Sequence, residues 1–207
     1  MSPHPRAHTV SDIITHIHAT QPEVVFFDIG NVLVSLDFHE LNLMTAERLG
    51  IPFDVYKPFL DQYMHYYFAW HLSSHHIEQI AHQELGITPS ITALRTTLTQ
   101  SQAQLNNELV AAITELSSTY TISCISNIFP ESLEVLKELW IFDHFTAPFF
   151  SCEMWVSKPD PLAYHLALWL HDAPAKKTLF IDDKRKNLDA ALEAGMQTMK
   201  YYFEVQE

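Results

Sequence analysis

Hydrophobic positions along the chain alternate between two patterns. Short unbroken apolar runs that end on polar residues predict strands buried on both faces. These runs cover 24–27, ending at Asp28; 120–125, ending at Ser126 and Asn127; 147–150; 178–181, ending at Asp182 and Asp183; and 197–202. Helical spacing fills the intervals. Apolar residues at 109, 110, 113 and 116 predict a helix over 107–117, and a second is expected over 131–140. Asp160 followed by Pro161 has the form of an N-cap and first helical residue, with a helix running to Leu170. A further helix over 187–194 would end at Gly195, where a left-handed residue suits a C-cap. A short leading helix is expected over 10–19, with Ser11 as its cap.

Strands alternating with helices imply a parallel α/β sheet. We therefore expect a three-layer, Rossmann-like core with five parallel strands. Residues 37–104 depart from the alternation and predict four helices, over 39–49, 53–70, 74–85 and 89–104, with Gly50 and Gly86 as C-caps. The expected organisation is an N-terminal extension over 1–22, a core over 23–36 and 105–207, and a helical insertion between its two parts.

Composition narrows the chemistry. Against 12 Lys and Arg stand 25 Asp and Glu, a formal net charge of −13. That balance opposes a nucleic-acid partner, which needs a basic face. With only four glycines, the chain has neither a Walker A sequence nor G-x-G-x-x-G, so any phosphate is held by other means. No apolar run has membrane-spanning length, and residues 1–21 lack the apolar core of a secretory signal. Cys124 and Cys152 lie in apolar stretches, as reduced core cysteines do. A cytoplasmic protein without a membrane partner is expected.

In parallel sheets the ligand sits beyond the carboxyl ends of the strands. Asp28, Ser126, Asn127, Asp182 and Asp183 all fall there, and Lys158-Pro159 precedes a helix. In chain order these segments are Phe27-Asp28-Ile29-Gly30-Asn31-Val32-Leu33, Ile125-Ser126-Asn127, Lys158-Pro159 and Phe180-Ile181-Asp182-Asp183 followed by Asn187. Together they resemble the four motifs of the haloacid dehalogenase (HAD) superfamily of phosphohydrolases, over about residues 23–202. The Asp-x-Gly-Asn-Val form of the first is similar to a subgroup that includes glucose-1-phosphatase-like enzymes. The insertion stands where that family places its small helical (C1) cap.

The resemblance implies an Mg²⁺-dependent phosphatase acting on a small phosphorylated metabolite, a sugar phosphate among the options. Asp28 would be the nucleophile of an aspartyl-phosphate route. Asp28, the backbone carbonyl of Gly30 and Asp183 would hold Mg²⁺. Lys158 would neutralise the transferring phosphoryl group, oriented by Asp182, and Ser126 and Asn127 would donate to its oxygens through hydroxyl and backbone amide.

One position departs from the pattern. Most phosphatases of the family carry an acid/base aspartate two residues after the nucleophile, and here Gly30 stands there. Either the ester has a good leaving group (a sugar 1-phosphate, acyl phosphate or aryl phosphate), or the chain binds a phosphorylated ligand or partner without turnover. In the insertion, Trp70-His71-Leu72-Ser73-Ser74 replaces the Arg-Gly turn common in the resembling subgroup. The aromatic-rich stretch 63–71 is expected mainly to pack the helices, with stacking on a ligand as the alternative. His71, His75, His76 and His82 fit surface or packing positions better than a metal site.

Overall fold

A computed structural model describes residues 3–69, 71–137 and 142–204, the side chain of His65 excepted. Five parallel strands form its sheet: β1 (Val24–Phe27), β4 (Thr121–Ser126), β5 (Phe149–Phe150), β6 (Thr178–Asp182) and β7 (Gln197–Lys200), in the order β5-β4-β1-β6-β7. Alternating side chains sort onto two layers. Val25 and Phe27, with Ile122, Cys124, Leu179 and Ile181, pack under α1 (Val10–Thr20) and α6 (Asn107–Leu116). Val24 and Phe26, with Ile125 and Phe180, pack under α9 (Pro161–Leu170) and α10 (Arg185–Glu193). The fold is therefore the expected three-layer, Rossmann-like arrangement. Both faces of β1 are buried, and each large apolar side chain there contributes roughly 1.5–3 kcal/mol. A one-residue slip would exchange the two faces, so the register is firmly set.

Between β1 and β4 run α2 (Phe38–Leu49), α3 (Phe53–Phe68), α4 (Ser74–Leu85) and α5 (Ile91–Gln102). They share an apolar cluster that includes Tyr56, Phe59, Leu60, Tyr67, Ile77 and Ile91. Gly50 and Gly86 end α2 and α4 with φ of 70° and 66°. The helices are bracketed by a two-residue antiparallel pair, β2 (Val34–Ser35) with β3 (Gln104–Leu105). Sequence patterning misses this pair and overextends α5 into it, because two residues carry no periodicity.

Other boundaries also shift. Thr9, not Ser11, caps α1: its hydroxyl accepts from Asp12 N while Asp12 accepts from Thr9 N, a capping box. β7 ends at Lys200, beside which the N-terminal segment pairs through Ala7 N to Lys200 O and Lys200 N to Pro5 O. Asp160 caps α9 as expected, with Pro161 at its first position. The helix expected over 131–140 is α7 (Pro130–Lys137), and its last three expected residues lie outside the described ones, as does Trp70.

The connections from β1 and β4 diverge from those of β6. The carboxyl end of β1 therefore sits at the switch point, where a crevice opens. The candidate residues lie there.

Candidate active site

Asp28 follows β1 directly and continues its ladder, with its N–H donating to Ile181 O at 2.8 Å. Its buried carboxylate is held by one oxygen. Oδ1 accepts from Ile29 N at 2.7 Å and Ser126 Oγ at 2.9 Å, and lies 2.9 Å from Lys158 Nζ. Among the described residues none donates to Oδ2. Burial pushes the Asp28 carboxyl above the usual carboxylate range, while the Lys158 ammonium opposes that rise.

Lys158 is almost wholly buried, and its Nζ also reaches Asp182 Oδ2 at 2.7 Å. Burial disfavours its ammonium. Asp182 and Asp28 more than offset that cost, so its pKa lies above the ordinary lysine value. Asn127 secures the segment from below. Its Nδ2 donates to Lys158 O and its Oδ1 accepts from Lys158 N, both at 2.8 Å. The side chain of Asn127 is thus committed to positioning the Lys158 backbone, a role that sequence reading does not reveal. The Lys158–Pro159 peptide is cis.

The two neighbouring aspartates at the end of β6 differ. Asp182 is saturated: besides Lys158 it accepts from Lys184 N at 2.7 Å and from Asn187 Nδ2 at 3.1 and 2.9 Å. Asp183 is not. Its Oδ2 has a long contact of 3.4 Å with Asn31 Nδ2, and its Oδ1 is buried without a hydrogen-bond partner. Asp28, Asp182 and Asp183 each place an oxygen within 4.8 Å of the others. Three carboxylates this close repel one another, and an orphaned buried oxygen is costly. Hard oxygen donors with an unmet charge fit a divalent cation.

The crevice widens into a cavity of about 680 Å³ between the sheet edge and the inserted helices. Asp28, Ser126, Asn127 and Lys158 form its floor. Phe129 stands at its side, with Phe68 stacked on it at 4.1 Å and Tyr67 at 5.0 Å. The hydroxyl of Tyr67 donates to Glu131, which also receives Ser74 Oγ, tying α3 and the start of α4 to α7. Burial and this bond push the Tyr67 phenol above its ordinary pKa. Of the aromatic stretch 63–71, Tyr67 and Phe68 therefore face the cavity, while Tyr66 is half exposed.

A family model described as haloacid dehalogenase-like hydrolase matches residues 22–195. The chain belongs to this family. Its fold is shared with a HAD family enzyme of Bacteroides thetaiotaomicron that is 19% identical, with a TM-score of 0.77 over 86% of this chain and 93% of that one. A structure of that enzyme in complex with magnesium and inorganic phosphate matches at 18% identity and a TM-score of 0.73, with the same coverage. A HAD-like hydrolase of Porphyromonas gingivalis is 19% identical over 87% of this chain and 91% of that one, with a TM-score of 0.78. No curated protein matches the sequence. At these identities the likeness concerns the fold. No described helix is long and apolar enough to cross a membrane.

In this HAD-like chain all seven sequence-derived residues (Asp28, Gly30, Ser126, Asn127, Lys158, Asp182 and Asp183) lie at the carboxyl edge of the sheet or in the segments joined to it. Gly30 has no side chain to offer. A Cβ there would lie 3.5 Å from Cζ of Phe38, whose ring covers the space above it. Lys184 Nζ stands 5.6 Å from that ring. Neither Phe38 nor Lys184 carries a motif signal, and only the fold brings them beside Gly30.

Proposed function

We propose that this protein is an Mg²⁺-dependent phosphohydrolase that acts on a small phosphorylated metabolite through an aspartyl-phosphate. The observation that carries the reading is the Asp28 carboxylate, fixed through one oxygen by three donors while the other has none. Oδ2 attacks phosphorus, and the bond from phosphorus to the leaving oxygen breaks with its electron pair on that oxygen. Water then attacks the same phosphorus, the bond from Oδ2 to phosphorus breaks with its electron pair on the restored carboxylate, the water's proton passes to solvent, and inorganic phosphate is released.

Asp28, the Gly30 carbonyl and Asp183 would hold Mg²⁺. Asp183 is preferred over Asp182 because Asp182 already has its acceptors filled. Bound there, the ion supplies positive charge that offsets repulsion between carboxylate and phosphate. Lys158 brings a second positive charge, kept as ammonium by Asp182 and Asp28. With substrate bound, the hydroxyl of Ser126 turns from Asp28 Oδ1 to a phosphoryl oxygen, which frees Oδ1 for the ion, and the backbone amide of Asn127 donates beside it. Residues 37–104 serve as a cap that selects the substrate.

Gly30 determines what leaves. General acid assistance is typically worth ~10²–10⁴-fold, and position 30 supplies none. Substrates whose oxygen departs readily as an anion are therefore favoured: acyl phosphates, aryl phosphates and sugar 1-phosphates, the last in keeping with the glucose-1-phosphatase-like form of the first motif. A second reading, binding without turnover, also rests on Gly30. Turnover of a panel of these esters with and without Mg²⁺, beside Asp28→Asn, separates the two. Mg²⁺-dependent hydrolysis lost in Asp28→Asn supports the enzyme. No hydrolysis above that variant supports the binding protein.

A further inference from the structure

The chain carries about twice as many acids as bases, yet its cavity inverts the balance. Lys57, Arg95, Lys158, Lys184 and Lys186 line it against Asp28, Asp61 and Glu131. Lys57 is paired with Asp61, Lys158 with Asp28, and Glu131 is occupied by Tyr67 and Ser74. Arg95 is different. It lies on α5, in the roof contributed by the inserted helices, and its Nη1 donates only to neutral acceptors: Asn42 Oδ1 at 2.7 Å and the Tyr56 hydroxyl at 2.9 Å. Its Nε is closed to solvent and has no hydrogen-bond partner. Among the described residues no carboxylate comes within salt-bridge range of it.

A guanidinium is always charged and presents a planar fork that matches a carboxylate or phosphate. Half-buried in the roof and without a counter-ion among the described residues, it is free to meet an anion brought into the cavity. Two neutral partners keep the side chain in place. Its guanidinium carbon also lies 5.7 Å from the centre of the Phe129 ring. Phe129 follows Asn127 by two residues and Ser126 by three, on the floor side. One aromatic ring therefore links the Arg95 site to the phosphate-holding loop. Leu60, Met64, Phe68 and Ile77 make the nearby lining apolar.

We propose that Arg95 is a specificity-determining residue that binds a second anionic group, carried on the leaving group of the substrate. The substrate class is a phosphate monoester with a short apolar or aromatic body and a distal carboxylate or second phosphate. This rests on the phosphohydrolase reading and deepens it. The transferring phosphate lies over Asp28, the body fills the space beside Phe129 and Phe68, and the far anion meets Arg95.

Three aryl esters test the proposal: 4-carboxyphenyl phosphate, 1,4-phenylene bisphosphate and the neutral-tailed 4-carbamoylphenyl phosphate. The amide is electronically the better leaving group, so a preference for the carboxylate would run against intrinsic reactivity. We expect kcat/KM to favour an anionic tail by roughly 10–100-fold, mainly through KM. The carboxylate and bisphosphate arms tell which anion is used. Arg95→Met should collapse the ratio, and Arg95→Lys should retain part of it, which a purely structural role would not produce.

Calorimetric titration of the same esters into Mg²⁺-loaded Asp28→Asn, with and without Arg95→Met, reads the subsite without turnover. Equal affinity for charged and neutral tails, or a preference unaffected by Arg95→Met, overturns the proposal. Anion-selective binding by a wild type that hydrolyses none of the esters would overturn the hydrolase reading and leave the subsite standing.

Discussion

Lys158 is the residue whose behaviour follows most directly from its surroundings. Two carboxylates at 2.9 and 2.7 Å hold it as an ammonium inside the protein. On the proposed mechanism, replacing it with alanine removes the charge that faces the phosphoryl group and should lower kcat by roughly 10²–10³-fold. Steady-state kinetics on an aryl phosphate measure this, and a smaller loss confined to KM would assign Lys158 to binding alone. Gly30 makes the complementary case. A Cβ at this position meets Phe38 at ordinary contact distance, so Gly30→Asp is tolerated at its first carbon, but the carboxylate must turn from an aromatic ring. We expect the double variant Gly30→Asp, Phe38→Ala to gain on alkyl phosphates, by up to roughly 10²-fold, and the single variant to gain less. A rate ratio of alkyl to aryl phosphate unchanged in both variants would refute the leaving-group argument.

Helix and strand ends govern how these residues are held. Asn106 caps α6 by accepting from Leu109 N, while its amide donates to Val32 O and to the Tyr201 hydroxyl. The turn after Asp28, the helix and the C-terminal segment all meet on this one buried side chain. Asn106→Ala should cost roughly 2–3 kcal/mol in denaturant unfolding.

Glu78 gives the inserted helices an acid-sensitive joint. It reaches from α4 to the start of α5 and accepts from Ser90 Oγ, Ile91 N, Thr92 N and Thr92 Oγ1. Partial burial raises its pKa, but these bonds prevail and hold it below the usual glutamate value of 4.5. A lowered carboxyl pKa contributes stability that is present above the unfolded value and lost as pH falls through the folded one. Thermal melting should therefore weaken below about pH 4.5, and less steeply in Glu78→Gln.

The same scale explains what the sequence discloses. Asp28, Ser126 and Asp182 were legible because buried strands announce their polar ends, and Asp160-Pro161 because a cap and a first-turn proline are local signals. The pairing of β2 with β3, the Thr9 cap and the grip of Asn127 on Lys158 were not. The first is too short for periodicity, the second competes with an equally suitable serine, and the third joins residues 31 positions apart.

Across the whole molecule, a net acidic chain lines one cavity with five cations against three carboxylates, and among the described residues Arg95, Lys184 and Lys186 of that lining form no ion pair. Three crowded aspartates lie at the edge of that cation-lined space. The folded state should accordingly be stabilised by Mg²⁺, which has no comparable site in the unfolded chain. At about 100 times Kd the gain is roughly 2.7 kcal/mol, or about 5–10 °C in melting temperature for a chain of this size. Asp183→Asn should abolish the gain, and an equal Mg²⁺ shift in that variant would place the ion elsewhere. The central claim is that Asp28 carries the phosphoryl group. It is tested most directly by incubating the Mg²⁺-loaded protein with an acyl or aryl phosphate, quenching in acid, reducing with borohydride and mapping peptides by mass spectrometry. Reductive conversion of the Asp28 side chain, dependent on Mg²⁺ and absent from Asp28→Asn, is the expected result. Hydrolysis of the ester with residue 28 unmodified, or no Mg²⁺-dependent modification at all, would contradict it.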